Sequence, residues 1–169
     1  MNTLRKTIFW IGLLAILSSF ATLAWQKEQL RSTGKELLLP LRPVDPRSLI
    51  QGDYMRLAFA DSALPPLAMQ QIMPAQGTFI FTRDAQNIGH YARLDRGAAL
   101  GVDEIRLKYE AKGQTLGRPL IIFSTDSFLF GEGKAQDYAQ ARYAIFHVDN
   151  LGNALVTGLA DTNAKAIQP

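Results

Sequence analysis

The chain has no cysteine and only two histidines among its 169 residues. Disulfides, a thiolate nucleophile, Cys-ligated zinc, iron–sulfur clusters and a lipidated N-terminal Cys are therefore excluded. The histidines, His90 and His147, are far apart and lack the HxH or HxxxH spacing of a metal pair, so no metal site is expected. An excess of one charge is also missing: eighteen Lys and Arg stand against fifteen Asp and Glu, a formal +3. Setting aside Arg5 and Lys6 leaves sixteen basic against fifteen acidic residues, with opposite signs adjacent, as in Asp95-Arg96 and Asp103-Glu104 before Arg106. That pattern is a mixed, solvated surface, and it holds no basic stripe interleaved with aromatics, so nucleic acid is not an expected partner. There is no internal repeat, heptad array or low-complexity linker. No cofactor is indicated. Gly131-Glu132-Gly133-Lys134 is not a phosphate loop, since Phe128 stands where the Walker spacing needs Gly and Ala135 where it needs Ser or Thr.

The strongest positive feature is the uncharged run from Ile8 to Trp25, IFWIGLLAILSSFATLAW. Its length is close to the lower limit for crossing a hydrocarbon layer as a helix. Ser18, Ser19 and Thr22 fit such a helix because a hydroxyl can bond the carbonyl one turn back. Trp10 and Trp25 sit toward its two ends, where indoles favour the interface, and Arg5 and Lys6 assign the first seven residues to the cytoplasm by the positive-inside rule. The reading is a transmembrane anchor over residues 8–25 in the lipid bilayer, with the remainder exported to the periplasmic side of a bacterial inner membrane. The rival is a cleaved signal peptide, for which small residues at Thr22 and Ala24, or Ser19 and Ala21, supply a cleavage pattern. Residues 26–34 are polar and read as a stalk ending at Gly34.

After the stalk, short segments rich in β-branched and aromatic residues recur between Gly, Pro, Asn and Asp, which predicts an all-β, mainly antiparallel domain over 35–169, a sandwich or partly open barrel with one or two short helices. Strands are expected near 35–42, 54–60, 78–83, 90–96, 104–110, 119–123, 143–148 and 154–159. Ile105, Leu107 and Tyr109 alternate with Arg106, Lys108 and Glu110, the pattern of a strand with one wet face. Asp149–Asn153 suits a short bulged hairpin loop. Short helices are expected over 64–73 and 133–141.

The most distinctive stretch runs from Pro43 to Tyr54, where two prolines and Gly52-Asp53 specify a rigid turn feeding a strand. Asp45 and Asp53 can accept backbone N–H bonds there, and Arg47 can fork onto either carboxylate. Gly52-Asp53-Tyr54-Met55-Arg56-Leu57-Ala58-Phe59 resembles the signature of the GDYXXLXY family, bacterial proteins without an assigned activity. The likeness extends to an N-terminal membrane span, to Pro43–Arg47 just before the motif, and to a Phe-rich segment ending in Glu-Gly, here Phe128–Gly133. Phe59 replaces the final tyrosine, which puts any role for a phenolic hydroxyl in doubt but not aromatic packing. The resemblance implies a gene beside, or a domain fused to, multi-span membrane proteins of unknown function; it supplies no substrate or cofactor. Within the motif, Tyr54 falls on the face opposite Leu57 and Phe59 unless a bulge intervenes.

These observations lead to an expected function as a membrane-anchored accessory or binding domain docking on a polytopic membrane partner. Contacts are expected through Asp45, Arg47, Asp53, Tyr54, Glu132 and Lys134. The alternative is a membrane-anchored hydrolase. One version pairs Ser48 as nucleophile with Lys108 as base, although alternation puts Lys108 on a polar face. The other uses Glu132, flanked by two glycines after Phe128-Leu129-Phe130, as an acid–base carboxylate. No residue is assigned a catalytic role.

Overall fold

The computed structural model describes residues 3–42, 54–115 and 118–168. Helix α1 runs from Thr3 to Thr33, 31 residues or about 46 Å at 1.5 Å per residue. It is long and apolar enough to cross a membrane, and Ile8, Trp10, Leu14, Phe20, Leu23 and Trp25 are all exposed. The hydroxyls of Ser19 and Thr22 donate to the carbonyls of Ala15 and Ser18 at 2.9 and 2.8 Å, so neither leaves a free donor in the apolar stretch. The helix continues through the polar segment read as a stalk and ends against the domain. Leu30 is buried, and the Gly34 N–H donates to its carbonyl at 3.0 Å. A Cβ at Gly34 would clash with the Leu30 carbonyl and sit 3.0 Å from both His147 Cβ and Val148 N. Glycine is what lets the chain turn there from helix into sheet.

The rest is built of antiparallel sheets, with short helices only. Strands β1 (Lys35–Pro40), β8 (Tyr143–Val148) and β9 (Ala154–Ala160) form one sheet in the order β1-β8-β9. Strands β3 (Gln76–Arg83), β4 (Gly89–Leu94), β5 (Glu104–Thr115) and β6 (Arg118–Ile122) form a second in the order β4-β3-β5-β6. A two-stranded ribbon pairs β2 (Tyr54–Arg56) with β7 (Ser127–Leu129). The helices α2 (Leu67–Gln70) and α3 (Ala135–Tyr138) are single turns, shorter than the predicted 64–73 and 133–141. Pro65-Pro66 delays the first, because a residue before proline is pushed out of the helical region.

Alternate residues of the sheets meet in one core: Leu37 and Leu39 of β1, Ala144, Phe146 and Val148 of β8, Phe79 and Phe81 of β3, and Ile105, Leu107 and Tyr109 of β5. Phe123 is its hub. Its ring lies 4.8 Å from Phe59, 6.1 Å from Phe79, 5.8 Å from Phe81 and 6.4 Å from Phe146, so one side chain ties the motif segment to both larger sheets. On the other face of β1, Leu38 packs with Ile145 and Ala160 in a small second cluster. Leu-rich β1 is therefore buried on both sides.

The hairpin between β8 and β9 forms as expected, with Asp149 Oδ1 accepting from Leu151 N and Asn153 N at 2.8 Å and Gly152 at φ 81°. The strands differ most from expectation in three places. Strand β2 ends at Arg56, short of the expected 54–60, strand β5 continues beyond Glu110 to Thr115, and β7 forms in the Phe-rich segment, where no strand is expected. A three-residue strand shows too little alternation to be read alone; it exists because β2 pairs with it.

Candidate functional site

The signature residues from Tyr54 onward enter the domain through β2. Met55, Leu57 and Phe59 are buried while Tyr54 and Arg56 are exposed, an unbroken alternation. Tyr54 thus takes the opposite surface, without a bulge, beside exposed Leu129 on β7. The β2–β7 pairing matches Tyr54 with Leu129, Met55 with Phe128 and Arg56 with Ser127, so the two segments singled out in the sequence are one ribbon. Phe59, at the position the signature gives to tyrosine, packs edge-on to Phe123. A phenylalanine fulfils that packing role, and a buried hydroxyl would need a partner of its own.

Beyond β2 the motif borders a groove of about 640 Å³, within the range of small-ligand sites. Its apolar lining comes from Leu57, Phe59, Leu64, Leu120 and Ile121. Charged groups stand around it: Arg42, Arg56 and Arg118 against Asp61 and Asp126. Arg42 Nη2 and Arg118 Nη1 both donate to one oxygen, Oδ1 of Asp61, at 3.1 and 3.2 Å. The pairs are open to water, with side-chain exposures of 48% for Arg42, 40% for Arg118 and 71% for Asp61. The buried amide of Gln70 also lines the groove, its Nε2 donating to the Pro65 carbonyl at 2.7 Å.

The position of the groove follows from strand direction. β1 starts at Lys35, next to the helix, and Arg42 lies just past its far end, about 20 Å away at 3.3 Å per residue. The groove therefore lies at the end of β1 away from α1.

Of the residues predicted to bind, Asp45, Arg47 and Asp53 lie outside the described residues, as does Ser48. Glu132 and Lys134 are exposed around the turn after β7, where Lys134 N donates to the Gly131 carbonyl at 3.2 Å. Lys108 is exposed, and its Nζ donates to Asn153 Oδ1 at 2.8 Å, a contact that anchors the β8–β9 hairpin to β5. His90 Nε2 sits 3.6 Å from Asp84 Oδ2 on β4, while His147 Nδ1 pairs with Thr157 Oγ1 at 2.9 Å on β8. The two histidines belong to different sheets, and among the described residues no cluster of three or more His, Asp or Glu could hold a metal ion.

Arg42, Asp61, Gln70 and Arg118 were not singled out in the sequence. Each is an isolated polar residue at a strand end or helical turn, and only folding brings them together. Arg56 was visible, as a motif residue on the face opposite the core.

Neither the curated proteins nor the solved structures include one similar to this chain. Residues 16–159 match the family described as GDYXXLXY protein, from the middle of α1 to the penultimate residue of β9. The segment unites the apolar helix, the ribbon and the groove, and the chain belongs to the GDYXXLXY family.

Proposed function

We propose that this protein is a single-span, membrane-anchored binding module whose domain lies outside the cytoplasm and docks on a polytopic membrane partner. The observation that carries the reading is the placement of the groove, bordered by the family's signature residues and held at the end of β1 away from the apolar helix. Retention of α1 as an anchor is supported by an apolar run longer than a usual signal-peptide core of roughly 7–15 residues. The continuation of the helix to a glycine junction packed on the domain supports it too. Arg5 and Lys6 support a cytoplasmic N-terminus. Tethering makes modest contacts sufficient, because it confines the domain to a thin layer near any partner in the same bilayer.

The test uses the absence of native cysteine. Asn150→Cys in the full chain should react with a membrane-impermeant maleimide in cells whose outer envelope is permeabilised, and the labelled protein should sediment with membranes at full length. A photo-crosslinking residue at Leu120, in the groove, should give adducts with a multi-span membrane protein in intact cells. A shortened, soluble product would establish a cleaved signal peptide instead, and adducts absent from the groove but present elsewhere would move the docking site.

A further inference from the structure

We infer that the groove takes an extended peptide segment of a partner protein that presents a carboxylate next to an apolar side chain, and that Asp61 occupies the place of that carboxylate when the groove is empty. The inference rests on the binding-module reading and specifies its ligand. Two guanidinium groups on separate elements converge on one oxygen of a single carboxylate. An arginine carries five N–H donors in a planar fork suited to bidentate carboxylates, and among the described residues Asp61 Oδ1 takes only one donor from each fork. Asp61 sits in a one-turn 3-10 helix, Asp61–Ala63, and is the most exposed member of the trio. Exposed pairs of this kind are weak and exchange readily. A ligand carboxylate bound bidentately would displace Asp61, while Leu57, Phe59, Leu64 and Leu120 receive the neighbouring apolar side chain.

Two observations favour a peptide over a lipid. The groove lies about 20 Å of strand from the junction with the apolar helix, at the other end of β1 and not at the helix end itself. Arg118, Pro119, Leu120 and Ile121 on one wall belong to β6, the last strand in its sheet, paired with β5 along one side only among the described residues. An edge strand of this kind offers main-chain groups to an added strand.

The test is selection of heptapeptides from two display libraries, one ending in a free carboxylate and one with a blocked terminus, on the full chain in zwitterionic nanodiscs. Selected peptides should combine an aliphatic or aromatic residue with Asp, Glu or the free terminus, and comparing the libraries identifies which carboxylate is read. For the best peptide, Arg42→Gln with Arg118→Gln should weaken binding by about tenfold or more, the loss of one charge-assisted contact. Asp61→Asn should tighten it about threefold, by removing the competitor. Should the double variant not fold, Arg42→Lys and Arg118→Lys, which keep charge but lose the fork, should each weaken binding. Selection without enrichment of acidic groups overturns the proposal, as does binding indifferent to both arginines or lost in Asp61→Asn. Arginine-dependent binding of phosphatidylglycerol vesicles in place of peptides would likewise overturn it. Crosslinks from Leu120 to a membrane protein together with a failed peptide selection would refute this ligand while leaving the binding module standing; no crosslinks from any position on the domain would refute the module itself.

Discussion

Two arginine–carboxylate clusters on this domain use the same chemistry to opposite ends. On the outer face of the four-stranded sheet, Arg93 and Arg106 lie on either side of Ile80 in the central strand β3. Arg93 pairs with Glu104, opposite Thr82, and Arg106 pairs with Asp95, whose N–H bonds the Thr78 carbonyl. The two pairs therefore cross β3 on opposite sides of Ile80, which is fully buried. Backbone groups complete the network: Gly101 N donates to Glu104 Oε2, Gly97 N to Asp95 Oδ1, and Arg106 Nη2 to the Ala98 carbonyl. Asp95 and Glu104 are only 15% and 17% exposed. Arg106 holds the Asp95 carboxyl below its usual range, and Arg93 does the same for Glu104. At the groove, Asp61 also meets two arginines, yet it is mostly in water, and among the described residues its carboxylate accepts no backbone N–H; the one from Leu64 goes to its main-chain carbonyl. A carboxylate woven into backbone donors is structural, whereas one held only by exposed forks is replaceable.

Four substitutions separate the structural contacts from the replaceable one. Ile80→Ala removes the apolar group beneath the crossed pairs and should cost about 2–4 kcal/mol in denaturant unfolding. A cost near zero would show that the pairs shield nothing. Gly34→Ala tests the junction of helix and sheet, and overpacking against Leu30, His147 and Val148 should cost about 1–3 kcal/mol, seen as a lower thermal midpoint with increased proteolysis between helix and domain. Asp95→Asn should cost about 1 kcal/mol after allowance for screening by water. It should also reduce the acid sensitivity of the fold. Because the folded pKa values of Asp95 and Glu104 are lowered from their usual 3.8 and 4.5, their stabilisation is full above those values and is lost as pH falls through the lowered ones. Wild-type unfolding should steepen below about pH 4, and a pH-independent stability in that window would contradict the pairing. Asp61→Asn should change stability least, by roughly 0–0.5 kcal/mol, while increasing peptide affinity; a large loss of stability would make Asp61 a second structural strap.

How far the fold was legible follows from the length of each signal. β5 was evident from Ile105, Leu107 and Tyr109 against Arg106, Lys108 and Glu110, and those apolar residues are buried as the alternation requires. β7 was not, since Ser127–Leu129 becomes a strand only by pairing with β2. The Phe128 segment and the motif were each noticed without any sign that they were neighbours. The candidate site was half legible: the motif pointed to the right region through Arg56, Leu57 and Phe59, but Arg42, Asp61 and Arg118 are individually ordinary surface residues.

The amino-acid sequence alone determined the apolar N-terminal helix and the antiparallel β class, because each depends on composition or periodicity within a local window, and it carried family membership through the signature over residues 52–59 and the match over residues 16–159. The folded chain decided which arginines share a carboxylate, which phenylalanine joins the sheets, and that the groove lies at the end of β1 away from the helix. Those properties depend on strand order and direction, and contacts between residues distant along the chain leave no local pattern to read.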